Sequence, residues 1–266
     1  MSVPVDVPAT ARLCADTVTL RYDQRVVSTD LSVDIPSAEF TVIIGPNACG
    51  KSTLLRSLAR MLVPTAGAVL LDGQSISSLK SKEVARRLGL LPQSSVAPDG
   101  ITVADLVARG RYPHQKLLRQ WSRTDEEIVA GALAATNVAD LADRSVDELS
   151  GGQRQRVWLA MALAQQTPIL LLDEPTTYLD IAHQIEMLDL CADLHAEQGR
   201  TLVAVLHDLN HACRYATHLL FMRDGAVVAE GAPGEVVTAA LVEEVFGLRC
   251  LVVPCPASGA PMVVPA

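Results

Sequence analysis

Residues 45–53 read G-P-N-A-C-G-K-S-T and stand between an aliphatic run, T-V-I-I at 41–44, and an apolar helical pattern at 54–62. A strand, a glycine loop and a helix in that order form a phosphate-binding loop in its required context. Gly45 and Gly50 let the backbone curl, so that successive N–H groups and the helix N-terminus face phosphate oxygens. Pro46, Asn47, Ala48 and Cys49 make up the curl. Lys51 adds a point charge, Ser52 a hydroxyl able to ligate magnesium, and Thr53 completes the motif. A chain carrying this unit is constrained to an open sheet with helices packed on it.

The rest of the sequence agrees with that constraint. Short aliphatic runs at 41–44, 88–91, 169–172 and 202–206 alternate with longer helical patterns, the mark of buried parallel strands joined by crossover helices. Ile181, Ile185, Leu188 and Ala192 repeat at helical spacing, and Gly199 sits where that helix would stop. Aromatic residues are only 3%, so aliphatic side chains must build the core. Residues 94–148 break the alternation, with helical patterns at 103–108 and 125–135 and no strand-like run, and read as an inserted helical segment. Asp224-Gly225 signals a hairpin between 219–222 and 226–230, and Ala257-Ser258-Gly259 in the proline-rich tail signals another.

Two further motifs carry chemistry. The run at 169–172 ends in Asp173-Glu174-Pro175, placing two carboxylates at the carboxyl end of a buried strand, where open α/β sheets bind ligands. Asp173 can hold magnesium through water, and Glu174, one residue on, can polarise a water for attack on a γ-phosphate, which favours a hydrolase over a passive nucleotide-binding module. Leu149-Ser150-Gly151-Gly152-Gln153 precedes a helical stretch to about residue 166. Ser150 can serve simply as an N-cap; the same exposed N–H groups and helix dipole also make a second anion site. One nucleotide does not need two cradles, whereas two chains arranged head to tail would use both.

With the loop at 45–53 and I-L-L-L-D-E-P at 169–175, L-S-G-G-Q at 149–153 resembles the ATPase subunit of an ABC transporter over nearly the whole chain. The spacing agrees: Lys51 and Ser150 lie 99 positions apart, and Ser150 and Asp173 lie 23 apart. The resemblance implies an α/β P-loop NTPase of ABC type, with a mostly parallel core sheet, an antiparallel β part and an inserted α-helical subdomain. It implies one ATPase domain over 1–266, divided into a nucleotide-binding core at 1–93 and 158–266 and a helical subdomain with the signature at 94–157. Tyr22 resembles the aromatic that stacks on adenine. Gln93 matches the glutamine that touches magnesium, Asp180 the D-loop aspartate across the dimer, and His207 the switch histidine at the γ-phosphate. Catalysis falls on Glu174, His207 and Lys51, with ATP and Mg2+ bound and Ser52, Gln93 and Asp173 as the metal set. Ala48 stands where the family commonly has glycine, and nucleotide affinity is undisturbed unless residue 48 takes a positive φ. His207 and His211 are four apart, the spacing of a zinc pair, but a catalytic zinc site would want Glu where Asp208 stands and a third ligand, which is not marked.

The chain has 30 acidic against 22 basic residues, a net charge of −8 that disfavours a general nucleic-acid coat. The longest charge-free stretches, 157–172 and 250–266, are interrupted by glutamines and prolines and cannot span a bilayer as helices. Residues 1–12 lack the basic start and apolar block of a secretory signal, so a cytosolic chain is expected. Six cysteines without a C-x-x-C pair are expected to be reduced thiols, and Cys49, at a helix N-terminus, is expected to have a lowered thiol pKa. The resemblance supplies the partners: an ATPase homodimer at the cytoplasmic face of the membrane, two membrane-spanning permease subunits, and an extracytoplasmic binding protein acting through them, with no nucleic acid. R-G-R-Y-P-H at 109–114, T-T-Y-L-D at 176–180 and P-x-S-G-x-P-x-V-x-P at 256–265 resemble the importers of ferric siderophores, haem and cobalamin, and siderophore is the expected cargo. Arg109, Arg111, Lys116, Arg119 and Arg123 form a basic run without an acidic residue, which reads as a solvated face, as a contact with anionic headgroups or acidic loops, or equally as a contact with nucleic acid. A DNA-repair ATPase of this family needs a long coiled coil between loop and signature, for which 99 positions leave no room; a ribosomal one carries two ATPase domains.

Overall fold

The computed structural model describes residues 12–93, 96–115, 121–177 and 179–266. Lys116, Arg119 and Tyr178 of the motifs above lie outside the described residues, as does nearly all of the segment read for a secretory signal. The elements in chain order are β1 (Leu13–Tyr22), β2 (Arg25–Ile35), β3 (Phe40–Ile44), α1 (Lys51–Leu58), β4 (Ala66–Leu71), β5 (Gln74–Ser75), α2 (Ser81–Arg87), β6 (Leu88–Leu91) and α3 (Val103–Ala108). Then come α4 (Arg123–Ala135), α5 (Gly151–Ala164), β7 (Ile169–Asp173), α6 (Ile181–Gln198), β8 (Thr201–Val205), α7 (Leu209–Tyr215), β9 (His218–Arg223), β10 (Ala226–Gly231), α8 (Pro233–Val236), α9 (Ala239–Phe246), β11 (Cys250–Pro254) and β12 (Pro261–Pro265).

A six-stranded sheet in the order β10-β9-β3-β8-β7-β6 is parallel throughout except for β10, which returns antiparallel to β9 through the Asp224-Gly225 turn. Its strands are apolar on both faces because both are covered. Phe40, Val42, Ile44, Leu170, Leu172, Leu202 and Ala204 enter one core with α3 to α7 and α9. The alternate residues Ile43, Ile169, Leu171, Val203 and Val205 enter a second core with α1 and the antiparallel sheet β2-β1-β4-β5. The tail forms the antiparallel hairpin β11-β12, and α6 ends at Gly199 in the left-handed conformation (φ 60°). The expected fold class is what the chain adopts.

Between β6 and β7, α3, a 3-10 turn at Arg109–His114, α4 and α5 pack on one another; among the described residues this segment has no strand, and its β-pairing is an isolated bridge between Thr102 and Ser145. Of the basic run, Arg109 and Arg123 are exposed, as a solvated face requires, and the structure corrects the reading at Arg111 alone. Arg111 is buried, with Nε 2.8 Å from Asp125 Oδ1 and an Nη donating to the Ala164 carbonyl at 2.8 Å. It is a bolt between the 3-10 turn, α4 and the end of α5. Burial pushes the Asp125 carboxyl up, but the Ser122 hydroxyl and the Arg111 guanidinium outweigh it and hold the group below its usual range.

Candidate functional site

The phosphate loop leaves β3 and enters α1 through Gly50, which has no side chain to cap the helix, so the first-turn N–H groups of α1 are left to the inside of the loop. Gly45 is required by close approach: a Cβ there would lie 2.0 Å from the Met222 carbonyl oxygen of β9. Lys51, 5% exposed, folds its ammonium back onto the Gly45 and Pro46 carbonyls, both at 2.8 Å. Two of its three donors hold the loop, and one is left for a phosphate oxygen. Burial lowers the Lys51 pKa, and the Cys49 and Glu174 charges oppose that.

Two of the loop's residues depart from expectation. Ala48 takes φ 61°, the left-handed region, so the condition attached to this non-glycine residue is met and the loop carries its strain. Cys49 is buried, and burial raises its thiol pKa more than Lys51 and the neighbouring N–H groups lower it. The expectation of an activated thiol is therefore corrected, because desolvation outweighs the helix terminus.

Opposite the loop, β7 ends in the buried Asp173. Its Oδ2 lies 3.4 Å from Arg56 Nε, and its Oδ1 has no hydrogen-bond partner among the described residues. Burial raises its pKa, against the Ser52 hydroxyl and Arg56. A buried carboxylate oxygen without a donor, beside the Ser52 hydroxyl, is an oxygen-ligand set suited to a hard divalent cation such as Mg2+. The next residue turns sharply: Glu174 is at φ 53°, a conformation costly for a side chain of this kind and typical of functional positions. There its carboxylate accepts from Gln93 Nε2 at 2.6 Å and Thr177 Oγ1 at 3.2 Å on one oxygen and meets His207 Nε2 at 2.8 Å on the other. Gln93 follows β6, Glu174 follows β7 and His207 follows β8, so three adjacent parallel strands deliver these groups from the same edge.

The expected residues thus fall into two groups. Lys51, Ser52, Asp173, Glu174, Gln93 and His207 converge, and Tyr22 stands beside them, its hydroxyl raising the Arg56 pKa. The signature is elsewhere, at the start of α5: the Ser150 hydroxyl accepts from Gln153 N–H at 3.3 Å, and Gln153 Oε1 accepts from Ser150 N–H at 3.1 Å, a complete capping box. Leu149 is buried, Gly151 exposed, and Gly152 lies against Leu179. Asp180 caps α6 through His183 N–H at 3.0 Å. Neither group hydrogen-bonds to the converging cluster, among the described residues. His207 pairs with Glu174 while His211 N–H caps onto Asp208, and no metal cluster of His, Cys, Asp or Glu occurs among the described residues. Two participants were passed over in the sequence. Arg56 is four residues from Ser52 on one helix face, a spacing that could have found it; Thr177 had only its nearness to Glu174.

Comparison with known proteins agrees with this geometry. Residues 28–177 match the family described as ABC transporter. The ferric enterobactin transport ATP-binding protein FepC of Escherichia coli is 58% identical over 96% of this chain and 94% of its own length. The probable siderophore transport system ATP-binding protein YusV of Bacillus subtilis is 55% identical over 95% and 92%. Among solved structures, a metal-chelate type ABC transporter in an inward-facing conformation superposes with a TM-score of 0.80 at 27% identity, over 97% of this chain and 98% of that one. The dimeric cassette MJ0796 bound to ADP and Pi gives 0.74 at 28%, over 83% and 98%. With the family model covering more than half of the residues, this chain belongs to the ABC transporter family as one of its ATP-hydrolysing subunits.

Proposed function

We propose that this chain energises uptake of a ferric siderophore, hydrolysing ATP as a homodimer attached to the cytoplasmic face of the membrane. No helix among the described residues is long and apolar enough to cross a membrane, so the path for the cargo is supplied by two membrane-spanning permease subunits, fed by an extracytoplasmic binding protein. The observation that carries the hydrolytic half is the Glu174 carboxylate, held by Gln93, Thr177 and His207 just past the end of β7, at the same end of the sheet as the Lys51 loop. The cargo rests on the 58% identity to a ferric enterobactin transport protein.

In each half of the dimer, Tyr22 of one chain stacks on adenine. Gly45 to Thr53 wrap the phosphates with backbone N–H groups, and Lys51 gives its remaining donor to the β,γ oxygens. Ser52, Gln93 and Asp173 would hold Mg2+, which supplies charge neutralisation at those oxygens. Gln93 already spends its amide N–H on Glu174, leaving its carbonyl oxygen for the metal. The signature residues Leu149, Ser150, Gly151, Gly152 and Gln153 of the other chain, with its Asp180, close over the γ-phosphate. Glu174 accepts a proton from the attacking water, and His207 contacts the γ-phosphate while bridging to Glu174. The core is 1–93 and 158–266, and the helical subdomain at 94–157 carries the signature.

The test is a deletion strain complemented with the wild-type gene or with Lys51→Ala, supplied with radioiron as siderophore, with haem and with labelled cobalamin. Siderophore uptake restored by the wild type alone is expected. Siderophore uptake that survives deletion, with haem or cobalamin uptake lost instead, would overturn the cargo while leaving an importer. Persistence of all three would overturn the transport reading.

A further inference from the structure

His207 hangs between two supports. On the sheet side, β8 runs into Leu206, whose N–H reaches the Ile43 carbonyl at 3.3 Å. On the other side the chain enters α7, capped by Asp208, whose Oδ1 accepts from His211 N–H at 2.8 Å. This seven-residue helix is too short to be stable unaided and takes its position from what it touches. Ala212 and Cys213 bury its inner face, and Tyr215 at its end donates to Asp189 of α6 at 2.8 Å.

Its third anchor is the C-terminal hairpin. The Asn210 amide accepts from Val263 N–H at 2.7 Å and donates to the Val263 carbonyl at 3.2 Å, so one side chain satisfies both main-chain groups of one residue, as a neighbouring strand would. The pairing explains why this is possible. Val263 stands opposite Val252 with its main-chain groups turned away from β11. The other residues of β12 with that orientation are Pro261 and Pro265, which have no N–H to donate. Val263 is therefore the one outward donor of β12, and Asn210 takes it. The hairpin is itself fixed to the core by the buried Cys250 and Val263, and among the described residues the hydrogen bonds between β11-β12 and α7 all run through Asn210.

We propose that Asn210 is a positioning residue: by locking α7 onto the hairpin three residues after His207, it fixes the direction in which His207 reaches Glu174 and the γ-phosphate. This rests on the role given to His207 above. The C-terminal hairpin is thereby a part of the hydrolytic site's support rather than a passive tail.

The experiment is a double-mutant cycle on steady-state ATPase activity with Asn210→Ala, His207→Ala and the pair, with ATP affinity and thermal midpoint measured on each. Asn210→Ala is expected to lower kcat about five- to tenfold, the effect of losing one hydrogen-bonding pair, with KM for ATP unchanged within about twofold. In the His207→Ala background it should cost nothing further, because there is no imidazole left to aim. Asn210→Asp keeps the acceptor for Val263 N–H and should recover part of kcat; it also replaces Asn210→Ala in the cycle if that variant does not fold. Equal losses in both backgrounds, or a fall in thermal midpoint with kcat unchanged, would overturn the proposal. If His207→Ala itself leaves kcat intact, the reading of His207 fails, a result distinct from additivity of the two substitutions.

Discussion

Ala48 holds a left-handed conformation at the centre of the phosphate loop. That conformation costs an L-residue about 1–2 kcal/mol, while glycine's extra freedom in the unfolded chain costs about 0.4–1 kcal/mol. Ala48→Gly should therefore stabilise the protein by up to about 1.6 kcal/mol, seen as a higher midpoint in urea; an unchanged or lower midpoint would mean that the loop relaxes without strain. Glu174→Gln keeps the hydrogen-bonding shape but removes the base, so ATP should still bind while hydrolysis slows by about 10²- to 10⁴-fold, measured as single-turnover phosphate release. The thiols sort by burial. Cys191 is pushed up to about 12 and Cys213 to about 11 by desolvation, and Cys49 is also raised, while the Ser258 hydroxyl and the N–H groups of Ser258 and Ala257 lower Cys255. Maleimide at neutral pH should modify Cys255 first and leave ATPase activity intact, read by peptide mass spectrometry. ATP-protected labelling of Cys49 with loss of activity would contradict this order.

At the scale of elements, a buried ion pair ties parts of the helical insertion together. Arg111 and Asp125 are both largely withdrawn from water and join the 3-10 turn to α4, with a branch to the end of α5. Removing one partner strands the other charge, so Asp125→Ala should cost roughly 3 kcal/mol in urea unfolding. Replacing both together with apolar residues of similar volume should cost much less. Equal losses for the single and double changes would show that packing, and not the charge, is what the pair supplies. The three strands that present Gln93, Glu174 and His207 place no such demand on a single contact, since their alternation of buried residues fills a core on each face.

For the whole molecule, acid should weaken the fold in two steps. His218, on β9, is held below its usual pKa by burial, so the folded chain refuses a proton that the unfolded chain accepts. Its contribution is complete above about pH 6.5 and is lost as pH falls through the lowered folded value. Asp125, held low with the Arg111 charge among the causes, contributes stability above its ordinary carboxylate range and loses it only in stronger acid. Urea midpoints at pH 7.5 and 5.5 should differ in favour of pH 7.5, and His218→Gln should narrow the gap; a midpoint flat over that range would remove His218 from the argument. The two clusters of functional residues, one at the strand ends and one at the start of α5, share no hydrogen bond among the described residues. If a second chain brings its signature to the loop, as proposed, Glu174→Gln with Mg-ATP should accumulate as a dimer in light scattering; a persistent monomer would overturn the head-to-tail arrangement.

Local rules determined much of this molecule. The loop at 45–53 fixed a strand before it and a helix after it, because a curl of N–H groups has no other use for those flanks, and short continuous aliphatic runs marked which segments were strands buried on both faces. Spacing and motif order marked Lys51, Ser52, Asp173, Glu174, Gln93 and His207, residues up to 156 positions apart that the sheet then gathered. What remained undecided locally was the balance between competing long-range terms. Arg111 looked like one more surface cation until α4 and α5 closed over it. Cys49 had the helix terminus of a reactive thiol, but the depth at which β9 covers the loop made desolvation the larger effect. Asn210 carried no signal at all, because its partner is a main chain 53 positions away. Burial and non-local hydrogen bonding depend on which surfaces meet, and only the folded chain sets that.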